Sequence, residues 1–287
     1  MLRVAIQFLK AWIATSLTTF APRNDELSVL LSNPIYTITT NRNNLAFSNM
    51  IIKSIKTHKI EIAESLLTVI DQYINHIQEK SILAIASKII SVCENNIISK
   101  TKKTAKLALI KEESDRLFRA KDQEFLLTQK DNRLIPNAGI DESNSNRCYV
   151  LLPKNPQLTA KRIWIHLRKK HNLKNLGVII TDSNVTPLRV GVTGIDIGWC
   201  GFIPVYSYIG KKDLFQKTMK VTKVNLIDSL ATAATLVMGE GDERSPIAVL
   251  SDLPLTVTFK DSSPSKYDQQ SVLMDPQKDL FRKVLKI

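Results

Sequence analysis

Cysteine is scarce in this chain: Cys93, Cys148 and Cys200 stand far apart with no CxxC pair. That excludes a disulfide framework and a zinc knuckle, and it fits a reducing, cytoplasmic setting. Histidine is nearly as rare. His166 and His171 lie five positions apart, off a shared helical face, while His58 and His76 are isolated, so no histidine metal site is spelled out. Aromatic residues make up only 6% of the chain and the lysines are scattered, which argues against a nucleic-acid surface. Neither GxxxxGK[ST] nor GxGxxG occurs, so the two common phosphate loops are missing. The apolar run from Val4 to Phe20 is too short for a membrane span and carries Lys10 in its middle.

What is present is an ordinary globular composition. With 287 residues, 44% of them hydrophobic, the chain can bury a core in one large domain or two modest ones. Its net charge of +13 is compatible with nucleic acid, an anionic membrane or an anionic small substrate. The densest basic stretch, Lys161 to Lys170, reads as the solvated face of an amphipathic helix, and neither a nucleic-acid nor a membrane partner is expected. Residues 1–49 differ from the rest: a basic start and an apolar run give way to a stretch rich in Asn, Thr and Ser. A signal peptide is one reading, which Lys10 opposes. The expectation is an extension over 1–49 and a functional domain over 50–287.

Periodicity places a helix from about Glu61 to Gln78, with Ala63, Leu66, Leu67, Ile70, Ile74 and Ile77 on one face. A buried strand follows from Ser81 to Ile90, ending near Ser87 and Lys88. Residues 103–119 read as helix, Glu124 to Thr128 as a strand running toward Pro136, and Cys148 to Leu152 as another strand. Asn155-Pro156 caps a helix whose inner stripe is Ala160, Ile163, Trp164 and Leu167. Gly177 to Thr181 is a buried strand ending at Asp182. Ile227 to Met238 is a helix that delivers its C-terminus into Gly239-Glu240-Gly241-Asp242-Glu243. Ala248 to Phe259 reads as strand and Lys278 to Lys286 as a short helix, so the class is α+β.

All nine glycines lie between Gly139 and Gly241, which marks this half as the place for tight turns or close approach to a ligand. Three acidic elements fall within it: Asp141 in Asn137 to Asn144, Asp182 in Thr181-Asp-Ser-Asn184, and Glu240 in its glycine-flanked loop. Carboxylate and hydroxyl oxygens suit hard divalent cations, which share phosphate oxygens with the protein and clamp a transferring phosphoryl group.

The segments Asn137 to Asn144, Gly177 to Asn184, Arg189 to Gly194 with Ile197, Gly198 and Gly201, Gly210 to Leu214, and Leu236 to Asp242 form an ordered series. In order and spacing it resembles the motif series of the coenzyme F420:L-glutamate ligase family, over roughly residues 52–260. The resemblance implies a two-part γ-glutamyl ligase-like fold with a mixed sheet, an intertwined homodimer, and GTP or ATP bound beside two divalent cations, Mg²⁺ or Mn²⁺. It implies Asp141 and Asp182 as ligands of one ion, and Ser183 and Glu240 as ligands of the other. It further implies nucleotide contacts at Asn144, Met238, Gly239, Glu240, Gly241, Asp242, Glu243, Arg244 and Ser245, with weaker matches at Thr57, His58, Lys59, Ile60, Ser87 and Lys88. Asp182, Arg189 and Lys88 are the candidate catalytic groups.

The implied reaction turns an acceptor carboxylate into an acyl phosphate, which the α-amine of L-glutamate attacks. That chemistry needs charge neutralisation more than a protein nucleophile, so the lack of a Ser/His/Asp or Cys/His set is consistent with it. Four positions depart from the family pattern. Val92 stands where the family has lysine, Val185-Thr186 where it has Gly-Arg, and Ser207 where it has Asp. These leave the ion ligands intact and put the acceptor in question, with a pterin or folate favoured over the deazaflavin F420-0. The alternatives are a family member that binds nucleotide without turnover and a basic nucleic-acid-binding protein.

Overall fold

The computed structural model describes residues 50–101, 105–118 and 126–285. Its first strand, β1 (Ile51–Ile55), is followed by α1 (Leu66–Tyr73), which starts where the Ser65 hydroxyl accepts the Thr68 N–H. The helix is shorter than the apolar period implies, because Ala63 takes a φ of 61° and Ile74 leaves helical geometry at the other end. Ile74 and Ile77 are buried all the same, so a turn carries the stripe onward against the core.

β2 (Ser81–Ala86) is a short apolar strand covered on both faces. It ends earlier than its apolar run, passing at Ser87 directly into α2 (Ser87–Cys93). The strand ends where Ser87 and Lys88 interrupt the run, as expected, while Ile90 and Ser91 face the interior from the helix that follows, so the second half of the run is buried as helix and not as strand. β3 (Ile97–Ser99) and the short helix α3 (Lys106–Glu113) come next. The expected long helix over 103–119 is thus cut short by β4 (Arg116–Phe118), and its residues 103, 104 and 119 lie outside the described residues. β5 (Leu127–Lys130) turns into β6 (Arg133–Pro136) through Asp131 and Asn132, both at positive φ, as a two-residue hairpin requires. Glu124 and Phe125, with which the expected strand began, lie outside the described residues.

β7 (Cys148–Val150) pairs with β3. α4 (Pro156–His171) has the expected cap, the Asn155 side chain accepting from the Leu158 N–H at 2.9 Å, and the expected inner stripe. β8 (Leu176–Val185) and β9 (Val192–Cys200) form a long hairpin, followed by the small pair β10 (Val205–Ser207) and β11 (Lys223–Asn225). α5 (Leu226–Met238) leads to β12 (Ile247–Ser251). That strand is shorter than expected because Asp252 takes a φ of 50° and Pro254 follows. The described chain closes with α6 (Lys266–Ser271) and α7 (Arg282–Leu285); Lys286, the expected end of this last helix, lies outside the described residues.

The central sheet has the order β1-β12-β2-β8-β9 and is mixed: β2 and β8 run parallel and the other neighbours antiparallel. One face packs Leu83, Ile85, Val178 and Ile180 against α1, α2 and α4. The other packs Ile82, Ala84, Ile179 and Trp199 against α5. This is the α+β class with a mixed sheet. Among the described residues no helix is long and apolar enough to cross a membrane. The expected extension over 1–49 lies outside the described residues.

Candidate active site

The parallel pairing of β2 with β8 sets Ala86 beside Thr181, so Ser87, the first residue of α2, comes next to Asp182, which stays in β8 opposite Ile195 of β9. β8 thus runs past the expected end at Asp182 to Val185, because β9 continues to pair with it. Ser87 Oγ donates to Asp182 Oδ1 at 2.8 Å. One residue along α2, Lys88 Nζ lies 2.6 Å from Asp141 Oδ2 and donates to Ser143 Oγ at 2.7 Å and to the Ser143 carbonyl at 3.2 Å. Asp141 is placed by a two-way backbone bridge to Val150, both bonds 2.9 Å, and its carboxylate accepts the Ser143 N–H at 2.7 Å in an Asx turn.

The two carboxyls are tuned in opposite directions. Burial pushes Asp182 up to about 6; bonds from Ser87 and the Ser183 N–H oppose that, and the neighbouring Asp141 charge adds to it. Burial also acts to raise Asp141, but the Lys88 ammonium and the Ser143 bonds outweigh it and hold this carboxyl below the usual range. Ser183, next on β8, donates its hydroxyl to Glu240 Oε1 at 2.7 Å.

Glu240 belongs to the loop that ends α5. Gly239 there has a φ of 79°, so glycine is needed for the conformation; the nearest atoms to a Cβ there belong to the end of the Glu243 side chain. The Glu243 carboxylate turns back to accept the Gly241 N–H at 2.8 Å. Asn144 Nδ2 donates to the Gly241 carbonyl at 2.8 Å, and the Thr57 N–H donates to the Arg244 carbonyl at 2.7 Å. The segment after Thr57 is fixed in turn by Tyr73, whose hydroxyl accepts the His58 backbone N–H and lies 2.7 Å from His58 Nδ1. His58 Nε2 is 3.0 Å from Glu64 Oε1, and the network closes with the ring proton on Nε2.

These elements surround one cavity of about 960 Å³, ample for a small-molecule ligand. It is lined by Thr57 to Ile60, Ser87, Lys88, Asn144, the whole loop Met238 to Ser245, and all of Asp141, Asp182, Ser183 and Glu240. Arg189 is placed elsewhere: it sits in the exposed turn between β8 and β9, outside the cavity lining of the single chain. Of the departures from the family pattern only Val92 lines the cavity, with Ile60 and Ile89 alongside; Val185, Thr186 and Ser207 do not. Sequence reasoning missed Ile89, whose place on the wall follows from Lys88 once α2 is read as helix. It also missed Tyr73 and Glu64, which act by holding other residues and leave no sequence signal, and Ser143, which the Asx-turn spacing from Asp141 could have pointed to.

The donor set fits hard divalent cations: carboxylate and hydroxyl oxygens, with the Lys88 ammonium already standing as a cation on Asp141. Among the described residues no group of three or more His, Cys, Asp or Glu is placed to hold an ion unaided. Hydroxyls, water or phosphate oxygens would complete the coordination, as is usual for Mg²⁺.

The family model for F420-0:gamma-glutamyl ligase matches residues 52–252, a span that holds every candidate site residue. A coenzyme F420:L-glutamate ligase of Methanopyrus kandleri is 33% identical over 225 residues, 72% of this chain and 87% of that protein. One of Methanococcus maripaludis (strain C7) is 31% identical over 222 residues, 72% of this chain and 86% of its own length. One of Methanocaldococcus jannaschii is 34% identical over 191 residues, 61% and 76% of the two chains.

Proposed function

This chain belongs to the F420-0:gamma-glutamyl ligase family and is an amide-forming ligase, and we propose that it joins L-glutamate to the carboxylate of a flat heteroaromatic acceptor, driven by GTP or ATP with two divalent cations, Mg²⁺ or Mn²⁺. The observation that carries the reading is that one cavity gathers five separate stretches of chain, around positions 57–60, 87–88, 141–144, 182–183 and 238–245. When bound, the cations would neutralise the transferring phosphoryl group as the acceptor carboxylate becomes an acyl phosphate.

The chain's own residues have distinct parts in this proposal. Asp141 and Asp182 would hold one ion, and Ser183 with Glu240 the other. Asn144 and the segments Thr57 to Ile60 and Met238 to Ser245 would bind and orient the nucleotide. Lys88 supplies positive charge within the cavity. Arg189 is flanked by Leu188 and Val190, both fully exposed, and in the proposed homodimer a second copy would cover that apolar tip. The acyl phosphate needs no protein nucleophile, since the glutamate amine attacks it directly and phosphate departs.

The acceptor is F420-0 or a pterin such as dihydropteroate or folate. The pterin class is our preference because Val185, Thr186 and Ser207 replace family residues while the ion ligands match; those three positions lie outside the cavity lining, and the apolar wall of Ile60, Ile89 and Val92 suits a flat ring of either kind. The test supplies the protein with GTP or ATP, Mg²⁺ or Mn²⁺, L-glutamate and each acceptor in turn, and weighs the products. A glutamyl adduct on F420-0 and none on dihydropteroate or folate would remove the pterin preference and leave the ligase. No adduct and no phosphate release with either would remove the ligase reading for these acceptors.

A further inference from the structure

We propose that Lys88 is a resident counter-cation: its ammonium holds Asp141 in place beside Asp182 until a divalent cation binds, is then displaced, and turns to the incoming phosphate. The inference rests on the divalent-cation reading above. Lys88 Nζ contacts Asp141 Oδ2 at 2.6 Å, Ser143 Oγ at 2.7 Å and the Ser143 carbonyl at 3.2 Å, which uses all three of an ammonium's N–H donors. Ser143 closes the ring by donating its hydroxyl to Asp141 Oδ2 at 3.1 Å and its N–H to Oδ1 at 2.7 Å. The lysine is therefore seated on the carboxylate rather than loose in the cavity.

The two cations cannot share that oxygen comfortably. An Mg²⁺ bonded to Oδ2 at about 2.1 Å would lie no further than about 4.7 Å from an ammonium that is 2.6 Å from the same oxygen. Like charges at that range repel, screened in part because both side chains are partly exposed. The candidate sites differ in this respect. Asp182 and Glu240 are bonded to the hydroxyls of Ser87 and Ser183, while among these ligands in the described residues Asp141 carries the ammonium. Because Lys88 lines the cavity, a released ammonium remains within it, where the phosphate would replace the lost carboxylate. Metal entry at Asp141 and phosphate capture by Lys88 then become one coupled event.

The full chain and Lys88→Gln are titrated with Mn²⁺ alone, without nucleotide, and free Mn²⁺ is read by electron paramagnetic resonance. Lys88→Gln is expected to tighten one class of Mn²⁺ site about fivefold, the scale of a half-exposed ion pair, and to leave the other class unchanged. Adding Asp141→Asn to Lys88→Gln should abolish the gain. Lys88→Arg keeps the charge and should bind Mn²⁺ as weakly as the parent, and circular dichroism checks that each variant is folded. Equal or weaker Mn²⁺ binding by folded Lys88→Gln, with metal-dependent phosphate release intact in the parent, would overturn the inference and leave the ligase reading. Absence of Mn²⁺ binding by parent and variant alike would overturn it together with the metal assignment.

Discussion

Ser87 and Asp182, 95 positions apart in sequence, are joined by a 2.8 Å hydrogen bond from the serine hydroxyl to the carboxylate. The bond exists because β2 and β8 are parallel neighbours in register: Ala86 stands beside Thr181, β2 passes into α2 at Ser87, and β8 runs on through Asp182 to Val185. The start of α2 thus supplies a hydroxyl, and the interior of β8 a carboxylate, to the same side of the cavity.

Asp182→Asn keeps the shape of the side chain and the acceptor for Ser87, and removes the charge. We expect a folded protein that loses roughly 100-fold or more of its metal-dependent phosphate release, comparable to losing one preorganised electrostatic contact. Glu240→Gln should act similarly through the other ion, without lowering the melting temperature, because Glu240 is exposed. Near-parental turnover in folded Asp182→Asn would take Asp182 out of the proposed metal site.

The parts of this arrangement legible in sequence are those written by local rules. The Asn155-Pro156 cap announced α4, and the stripe from Ile227 to Met238 announced α5 together with the loop it delivers. The end of β2 was marked by the polar pair Ser87-Lys88, but the helix that starts there was hidden, because Ala86 makes no side-chain cap and the apolar Ile89 and Ile90 continue the run. The anchoring of His58 by Tyr73 and Glu64 was hidden for another reason: such bonds depend on how α1 packs, and no spacing in the sequence encodes that. Arg189 lies on the exposed turn between β8 and β9, outside the cavity lining of the single chain, so its role is not read from this fold alone.

Asp196 on β9 should govern how stability responds to pH. It is buried, its Oδ1 has no hydrogen-bond partner among the described residues, and its Oδ2 is 3.8 Å from Arg133 Nη2. Burial pushes its carboxyl up to about 7; Arg133 opposes this and Asp228 adds to it. A carboxyl raised on folding holds its proton in the native state after the unfolded chain has released it, so stability falls as pH rises from about 4 to about 7. Asp196→Asn should remove that dependence and be the more stable protein above pH 7, by at most about 4 kcal/mol. Urea unfolding of both proteins between pH 5 and 8 checks this, and a difference that does not vary with pH would contradict it.

A chain beginning at Met50 is expected to fold and to keep its activity. β1 starts at Ile51 and its ladder with β12 runs from Ile51 opposite Ser251 to Ile55 opposite Ile247, so the first strand is complete without residues 1–49. Circular dichroism and phosphate release on the shortened protein provide the measurement. Failure to fold, with the full chain soluble, would make the first 49 residues integral to the domain.

Gly194 offers a way to move Glu240 without touching it. It lies opposite Ser183 in the β8–β9 ladder, and a Cβ there would stand 2.3 Å from Thr235 Oγ1 and 2.6 Å from the Ala231 carbonyl, both on α5. Thr232 Oγ1 also donates to the Gly194 carbonyl at 2.7 Å, so a side chain of the helix is bonded to the strand's backbone at this point. Gly194→Ala must therefore lift α5 from the sheet and shift the loop after Met238, stretching the 2.7 Å contact between Ser183 and Glu240. Gly198→Ala is the control. Its Cβ would meet the Pro156 backbone at 2.6 Å, on α4 and away from that loop. Each substitution should cost roughly 1–3 kcal/mol of stability through overpacking. Gly194→Ala should in addition raise the GTP and Mn²⁺ concentrations needed for phosphate release, while Gly198→Ala leaves them near the parental values. Equal shifts in both variants would mean that the seating of α5 on β9 does not set the position of Glu240.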